Sequence, residues 1–377
     1  MYADEQEILC SMALSRALHL NSLHQQLLLK EAGSATELYR KRGNLKDLLP
    51  QASPRVAEAL RDMDTQMERA REELDFARRN RIQCICQSDE RYPQRLRECA
   101  DAPVLLYYRG NRNLNAQRVI SIIGTRHCTE YGKEICRHLA TELQRLCPDV
   151  LVVSGLAYGI DIQAHRHALA CGLDTVGVLA HGLDQIYPRI HRDTAAEMTS
   201  HGGLLTEFMS RTNADKVNFI RRNRIVAGMA DATVVVESAA KGGALITAEL
   251  AEGYHRDVFA FPGRTTDPYS QGCLGLIRTN RAMLVTGAED IVNAMGWATR
   301  QTIEEARRQP VQRDLFPDLT DEERLVADCL AQCDDKQVNM LAIETNFPIH
   351  KVSALLFGME MKGVVKMLNG GRYRLLR

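Results

Sequence analysis

The chain has 377 residues and a formal net charge of zero, because 48 Lys and Arg balance 48 Asp and Glu. This length predicts two or three domains, and the even charge argues against a protein that coats nucleic acid with its whole surface, although a local basic site stays compatible with it. No segment approaches the roughly 18 apolar residues of a membrane span, and the acidic N-terminus does not resemble a signal peptide.

Residues 1–80 carry apolar side chains at helical spacing throughout. Gly33 and Gly43 stand where helices would end. The charge-rich stretch 56–80 could form one long connecting helix. We therefore predict an N-terminal small helical domain over 1–80 with a connecting helix.

Residues 81–297 change to short β-branched runs that alternate with amphipathic helices. Runs that are apolar on both faces and separated by helices predict a parallel sheet covered on each side, that is, an α/β fold with an extended Rossmann-like, doubly wound sheet. The predicted strands are 118–124, 150–155, 174–180, 203–208, 232–238 and 257–263. The stretches IQCIC and PVLLYYRG upstream are expected to extend or brace this sheet.

The end of the chain carries a third pattern. Residues 298–318 are polar, contain two prolines and are predicted to be a linker. Residues 319–377 read as three helices and a hairpin, and Thr320 with Glu323 has the spacing of a capping box. We predict a C-terminal winged-helix domain there.

The first glycine turn, IIGTRHCTEYGKEI, lacks the G-x-G-x-x-G pattern of a dinucleotide site. NAD or FAD binding is therefore not expected, and we predict no cofactor. Gly124 followed by Arg126 fits a turn that offers amides and a guanidinium to a phosphate. A tight turn with a solvated arginine is the alternative.

The second glycine turn, VVSGLAYGIDIQAH, places Ser154 and Gly155 at a strand end before a helix, where backbone amides favour an anion. Asp161 and His165 lie four residues apart on the first helical turns. They fit an acid/base pair, or a structural brace, which we favour because no nucleophile is apparent. His165 and His167 are too close on a helix to share a metal, no CxxC pair occurs, and we predict no metal site.

The stretch KVNFIRRNRIVAGMA begins a helix with four cations and one ring, Phe219. Cations oppose the dipole at a helix N-terminus, which suggests that a polyanion lies across them. An aromatic face suits a nucleic-acid base, since stacking contributes about 1–3 kcal/mol per base. Downstream, Lys241 precedes a Gly-Gly turn whose glycines allow close approach of a ligand or close packing of helix on sheet. Together these motifs predict a groove for single-stranded nucleic acid.

Ten stretches in order resemble the DNA-processing protein family DprA, also called Smf. They are YPQRL, APVLLYYRG, IIGTR, VSGLAYGIDIQAH, GLDQIYP, GGLLTEF, FIRRNRIVAGMA, KGGALITAELA, VFAFPG and LIRTNRAMLVTGAEDI. They run from about residue 91 to 296. The helical front end and the winged-helix tail also resemble that family's accessory domains, which implies a front domain of the SAM or helix-hairpin-helix kind. Two positions depart from the family pattern: Ile220 stands where proline is common, and Gly242 stands where serine is usual.

The resemblance implies a bacterial cytoplasmic protein of natural transformation that binds and protects incoming single-stranded DNA. It also implies loading of the recombinase RecA, a homodimer and no catalysis. Carried over by position, the DNA-binding residues are Gly124, Arg126, Ser154, Gly155, Lys216, Phe219, Arg222, Asn223, Arg224, Lys241 and Gly242. We expect alanine at Arg224 to flatten the salt dependence of DNA binding.

Three other interpretations stay open. The strand–glycine–helix motifs also resemble lysine-decarboxylase-like phosphoribohydrolases, which would make the chain a nucleotide-processing enzyme with Glu249 in its site. A winged-helix transcription regulator that senses a nucleotide is a further alternative. The tail, basic at Lys351, Lys362, Lys366, Arg372, Arg374 and Arg377, could contact duplex DNA or a protein.

Overall fold

The computed structural model describes residues 4–17, 21–44, 54–297, 319–331, 335–368 and 371–376. The described residues up to 297 belong to one compact unit and those from 319 onward to a second. The predicted linker 298–318 lies outside the described residues. None of the described helices is both long and apolar enough to cross a membrane.

A nine-stranded sheet forms the centre of the first unit. Its strands are β1 (Gln83–Cys86), β2 (Leu105–Gly110), β3 (Val119–Ile123), β4 (Leu151–Ser154), β5 (Thr175–Val178), β6 (Gly202–Thr206), β7 (Ala232–Val235), β8 (Asp257–Ala260) and β9 (Met283–Leu284). They lie in the order β1-β2-β6-β5-β4-β3-β7-β8-β9. The pairs β1–β2 and β2–β6 are antiparallel, and all the other pairs are parallel.

This sheet confirms the predicted mixed α/β, Rossmann-like fold, and it has a core on each face. Alternate residues of a strand point to opposite faces. In β3, Val119 and Ile123 pack into one core cluster, whereas Ile120 and Ile122 pack into the other. A strand buried on both faces needs apolar residues at nearly every position, which is why the runs showed no alternation.

Helices cover both faces of the sheet. In chain order they are α5 (Gln94–Arg97), α6 (Glu130–Leu146), α7 (Ile160–Ala170), α8 (Arg192–Met198), α9 (Lys216–Met229), α10 (Gly243–Gly253), α11 (Gln271–Arg278) and α12 (Ala288–Ala294). From β3 the chain winds outward through β4, β5 and β6, then returns to the other side of β3 to form β7. The carboxyl ends of β3 and β7 therefore flank the switch point where such sheets hold their ligands.

Among the described residues, four helices precede the sheet: α1 (Glu5–Arg16), α2 (Ser22–Ala32), α3 (Ala35–Lys41) and α4 (Pro54–Arg79). Gly33 ends α2 at φ 84°, which confirms the predicted helix end. The helices share one apolar cluster with β1 and β2. Buried Glu73 of α4 also accepts hydrogen bonds from Ser210 N at 2.9 Å and from Ser210 Oγ at 2.5 Å. The front helices are thus packed onto the antiparallel edge of the sheet, and a domain boundary at residue 80 stays a prediction.

The described residues of the second unit form three helices and a small antiparallel sheet. Its elements are α13 (Asp321–Ala331), β10 (Lys336–Gln337), α14 (Val338–Thr345), α15 (Ile349–Met361), β11 (Val365–Leu368) and β12 (Arg372–Leu375). Thr320 N donates to Glu323 Oε2 at 2.8 Å, and Glu323 N donates to Thr320 Oγ1 at 3.3 Å, as the capping box requires. The winged-helix assignment stays an interpretation of these elements.

Most described cations of this tail have carboxylate partners. Lys351 pairs with Glu322 at 2.5 Å, and Lys362 pairs with Glu323 at 2.7 Å. Arg372 and Arg374 both lie near Asp335. The tail therefore presents less uncompensated positive charge than its sequence suggests.

Candidate nucleic-acid interface

A cavity of about 690 Å³ opens at the switch point between β3 and β7. We call it the switch-point cavity. It is lined by the turn after β3, the turn after β7 and one face of α9. Eight predicted DNA-binding residues line it: Gly124, Arg126, Lys216, Phe219, Arg222, Asn223, Lys241 and Gly242. The fold thus brings together residues that lie more than a hundred positions apart in the chain.

The turn that carries Arg126 is held from both sides. Thr125 N donates to the Glu237 carbonyl at 2.7 Å, and the buried Glu237 carboxylate accepts from Thr129 N at 2.9 Å. On the other side, Gly159 lies at φ 78°, and a Cβ there would stand 2.0 Å from the Thr125 carbonyl oxygen. Only glycine allows α7 to begin this close to the turn. Arg126 is therefore exposed on a fixed turn rather than on a loose loop.

The residues of α9 reach the cavity with helical spacing. Lys216, Phe219, Asn223 and Val226 line it and are three or four positions apart. Asp215 caps the helix by accepting from Asn218 N at 2.7 Å, so one carboxylate already compensates the helix N-terminus.

Arg222 lines the cavity but is almost fully buried, at 4% exposure. Its guanidinium lies against Gly155, where a Cβ would stand 1.4 Å from Nη1, and it pairs with Asp161 at 4.0 Å. Burial lowers the pKa of Arg222, and Asp161 opposes that shift. Burial also raises the pKa of the Asp161 carboxyl, with Arg222 opposing. Gly155 thus makes room for a buried ion pair at the base of the cavity.

Arg224 lies outside the switch-point cavity. It is 6% exposed, pairs with Glu207 and donates to the Asp101 carbonyl. Arg221 also faces Glu207, at 3.7 Å. The expectation that Arg224 contacts a polyanion in this cavity has no geometric support, because its charge is compensated inside the protein. The position of Arg224 in the helix already indicated this. At about 100° per residue, Arg224 lies about 140° around the helix from Phe219 and so on a different face.

Ser154 and Gly124 have structural roles near the cavity, one through a hydrogen bond and one through close packing. Ser154 is fully buried, and its Oγ donates to the Ile122 carbonyl at 2.6 Å, so its proton is already engaged. Gly124 lines the cavity, and a Cβ there would stand 2.4 Å from Ile160 Cγ1. Of the two, only Gly124 borders the space that a ligand would occupy.

Lys241 and Gly242 form the rim opposite α9. Both are exposed, and Gly242 is the N-cap of α10 without a side-chain hydrogen bond. A Cβ on Gly242 would meet only Ser238 Oγ, at 3.5 Å, so the position has room for a serine. Asn223 Nδ2 donates to the Gly243 carbonyl at 3.5 Å, which connects α9 to this helix start. The rim therefore offers an ammonium and a helix N-terminus to an anion.

Three cations of the cavity stay uncompensated. Arg126, Lys216 and Lys241 are exposed, and none forms an ion pair with a carboxylate in the part of the chain that the structure describes. Asp161 and Asp215 are the carboxylates among the lining residues; one is paired with Arg222 and the other caps α9. A neutral chain thus concentrates positive charge at one site.

The sequence interpretation missed Tyr187. Its half-exposed ring, at 47%, lines the cavity and lies 6.0 Å from the Phe219 ring, at an interplanar angle of 58°. The Arg126 guanidinium lies 4.7 Å from the centre of the Phe219 ring. The cavity wall thus carries two aromatic rings and a planar guanidinium, which are the groups on which a nucleic-acid base can stack. No local pattern in the sequence places Tyr187 beside α9.

Asp161 and His165 form no hydrogen bond with each other in the described residues. Thr175 Oγ1 donates to the Val152 carbonyl at 3.0 Å, so His165 Nδ1 donates to Thr175 Oγ1 at 2.7 Å. Burial lowers the pKa of His165 to about 3. The histidine is thus a neutral residue of the interior, and the brace interpretation fits this geometry better than an acid/base pair. Among the described residues, no group of three or more His, Cys, Asp or Glu is placed to hold a metal ion.

Residues 83–296 match the model of the family DNA recombination-mediator protein A. DNA processing protein DprA of Bacillus subtilis (strain 168) is 39% identical over 211 residues, which cover 56% of this chain and 70% of that protein. The crystal structure of DNA processing protein A from Streptococcus pneumoniae superposes with a TM-score of 0.67 at 29% identity, covering 78% of this chain and 98% of that one.

A second solved structure is DNA processing protein A from Helicobacter pylori, which is described as having a unique single-stranded DNA binding mode. Its TM-score is 0.51 at 28% identity, and it covers 57% of this chain and 95% of that one. The matched region contains the whole sheet and every residue of the switch-point cavity. The chain belongs to the DNA recombination-mediator protein A family.

Proposed function

We propose that this chain binds single-stranded DNA in the switch-point cavity, protects incoming DNA in natural transformation and loads the recombinase RecA onto it. In this proposal it acts in the bacterial cytoplasm as a homodimer and catalyses no reaction. One observation carries the DNA-binding step: three uncompensated cations and two aromatic rings line one cavity. The Helicobacter pylori relative, described as a single-stranded DNA binder, supports the same ligand.

The cavity residues divide into two roles in this proposal. Arg126, Lys216 and Lys241 contact phosphates, and Phe219 stacks on a base. Arg222, Arg224, Ser154 and Gly155 hold the cavity in shape, because their polar groups or their space are already used within the protein.

Binding of labelled oligo(dT) across a salt series tests this division. Each phosphate contact contributes about −0.7 to the slope of log K against log salt for a single strand. Alanine at Lys216 or Lys241 should reduce the steepness of the slope by about 0.7. Arg137→Ala is the matched control, because Arg137 is exposed, pairs with Glu134 at 2.5 Å and lies outside the cavity. Equal slopes for all four proteins would refute the assignment.

A comparison of binding to the same oligonucleotide in single-stranded and duplex form separates this proposal from a transcription regulator. A transcription regulator would prefer one duplex sequence.

The phosphoribohydrolase alternative would place Glu249 in the site, yet Glu249 is exposed on α10 and does not line the switch-point cavity. Incubation with AMP should release no adenine. Release of adenine that is lost on Glu249→Gln would overturn the non-enzymatic proposal.

Recombinase loading and dimerisation need their own measurements. RecA ATPase activity on oligonucleotides covered by single-strand binding protein should start sooner when this protein is added. Sedimentation equilibrium of the whole chain should give twice the 42.3 kDa of one chain. No acceleration of RecA, or a monomer at all concentrations, would refute the respective part.

A further inference from the structure

A second cavity, of about 1010 Å³, lies beside the first. We call it the arginine cavity, because Arg109, Arg189 and Arg192 line it. Tyr187 lines both cavities, so the two meet at one aromatic ring. None of the sequence motifs pointed to the arginine cavity, since its cations come from β2, from the turn before α8 and from the first residue of α8.

The three arginines carry uncompensated charge. All are exposed, and none forms an ion pair with the residues that the structure describes. Asp184 is the single carboxylate among the described lining residues, and its Oδ2 accepts a hydrogen bond from Arg211 N at 3.0 Å. Three guanidinium groups against one engaged carboxylate leave a net positive cavity, and guanidinium groups suit phosphate oxygens.

Aromatic groups accompany these cations. Tyr158 lines the arginine cavity, is 47% exposed, and is fixed by an edge contact of 5.2 Å with the His191 ring. Tyr187, also 47% exposed, lies between Phe219 and this cavity. Cations that track a backbone and exposed rings that accept bases are the two parts of a groove for single strands.

We propose that the arginine cavity is a second subsite for the same DNA strand, which leaves the switch-point cavity across Tyr187 and meets Arg109, Arg189 and Arg192 with its following phosphates. This inference rests on the proposed function, because the strand must first occupy the switch-point cavity. It extends that function by assigning the path of the bound strand over the surface and a longer binding site. A free mononucleotide is a weaker fit, since it would not need two cavities joined by a shared ring.

Two lengths of fluorescein-labelled oligo(dT), of about 4 and about 16 nucleotides, separate a strand confined to one cavity from a strand that covers both; they span the range of site sizes known for OB-fold single-strand binders. The triple variant Arg109→Ala, Arg189→Ala, Arg192→Ala should bind the short oligonucleotide as the wild type does. It should bind the long one at least about tenfold more weakly, with a slope less steep by up to about 2, which is three contacts of about 0.7 each. Replacing the same three arginines by lysine should keep most of the slope.

The matched control removes three other charges. Arg71, Arg137 and Arg145 are exposed and line neither cavity, so their triple alanine variant loses the same charge without touching the subsite. It should bind both oligonucleotides nearly as the wild type does. A long-oligonucleotide defect as large as that of the cavity variant would mean a general charge effect and would overturn the subsite.

The outcomes also separate this inference from the proposed function. If the wild type binds neither oligonucleotide, the proposed function fails and the subsite fails with it. If the wild type binds both, Lys216→Ala weakens both, and the arginine variant matches the wild type on the long one, only the subsite is overturned. Crosslinking of a long oligonucleotide containing 5-iodouracil, read by mass spectrometry, should label Tyr158 or Tyr187 in the wild type.

Discussion

Replacing Phe219 by alanine removes a ring from the switch-point cavity without removing a charge. Loss of one base–ring stack costs about 1–3 kcal/mol, and each 1.4 kcal/mol is about tenfold in affinity. The dissociation constant for oligo(dT) should therefore rise between about 5-fold and about 150-fold. The salt slope should stay unchanged, because the three exposed cations remain.

The Arg126 guanidinium, 4.7 Å from the centre of the Phe219 ring, makes this prediction sharper. An exposed cation–π pair contributes about 0.5–1 kcal/mol, and alanine at Phe219 removes this contact while the turn still holds Arg126 at the cavity. Alanine at Arg126 should then cost less affinity in the Phe219→Ala background than in the wild type. A double-mutant cycle measured by fluorescence anisotropy gives this coupling directly.

Ile220→Ala is the matched control, since Ile220 follows Phe219, lines the same cavity and is 46% exposed but has no ring. It should change the dissociation constant by less than the smallest effect expected for Phe219. The stacking argument is refuted if Phe219→Ala binds within about twofold of the wild type while folded, or if its slope falls by about 0.7 as for a lost phosphate contact.

Three further predictions follow from buried or capped positions. Arg224→Ala should lower the free energy of unfolding in urea by up to about 3–5 kcal/mol, because it removes the nearer and more buried partner of Glu207 and leaves only Arg221, at 3.7 Å. Arg221→Ala should cost under about 1 kcal/mol, because the Arg221 side chain is half exposed. A flattened salt slope with unchanged stability for Arg224→Ala would contradict this. Gly242→Ser should tighten oligo(dT) binding by about two- to tenfold, because it adds a hydroxyl at the start of α10, whereas Gly242→Ala should not. Equal affinities of the two variants would count against a phosphate at this position. The pKa of His165 falls from 6.5 in the unfolded chain to about 3 in the fold. Between these two pH values the unfolded chain binds a proton at His165 and the native chain does not. The free energy of unfolding should therefore decline below pH 6.5 by up to about 1.4 kcal/mol per pH unit. In urea titrations over the same pH range, the free energy of unfolding of His165→Gln should decline less steeply than that of the wild type. Parallel curves for the two proteins would refute the assignment.

Local pattern determined the elements and the class of fold. Strands such as β3 are apolar at nearly every position because both faces are covered, and this apolar run can be read directly in the sequence. Glycines at the strand ends marked the edge where a doubly wound sheet holds a ligand, and Lys216 and Phe219 share a helical face. For these reasons the sheet, the edge that carries the switch-point cavity and the core of the candidate site could be predicted from the sequence.

The tertiary structure alone decided which cations are available to a ligand. Arg222 and Arg224 look alike in the chain, but Asp161 and Glu207, which are distant in sequence, compensate their charges. Tyr187 and the arginine cavity likewise exist only once separate strands and turns meet. A side chain's charge is local, whereas its compensation depends on neighbours through space, and a linear pattern does not contain those neighbours.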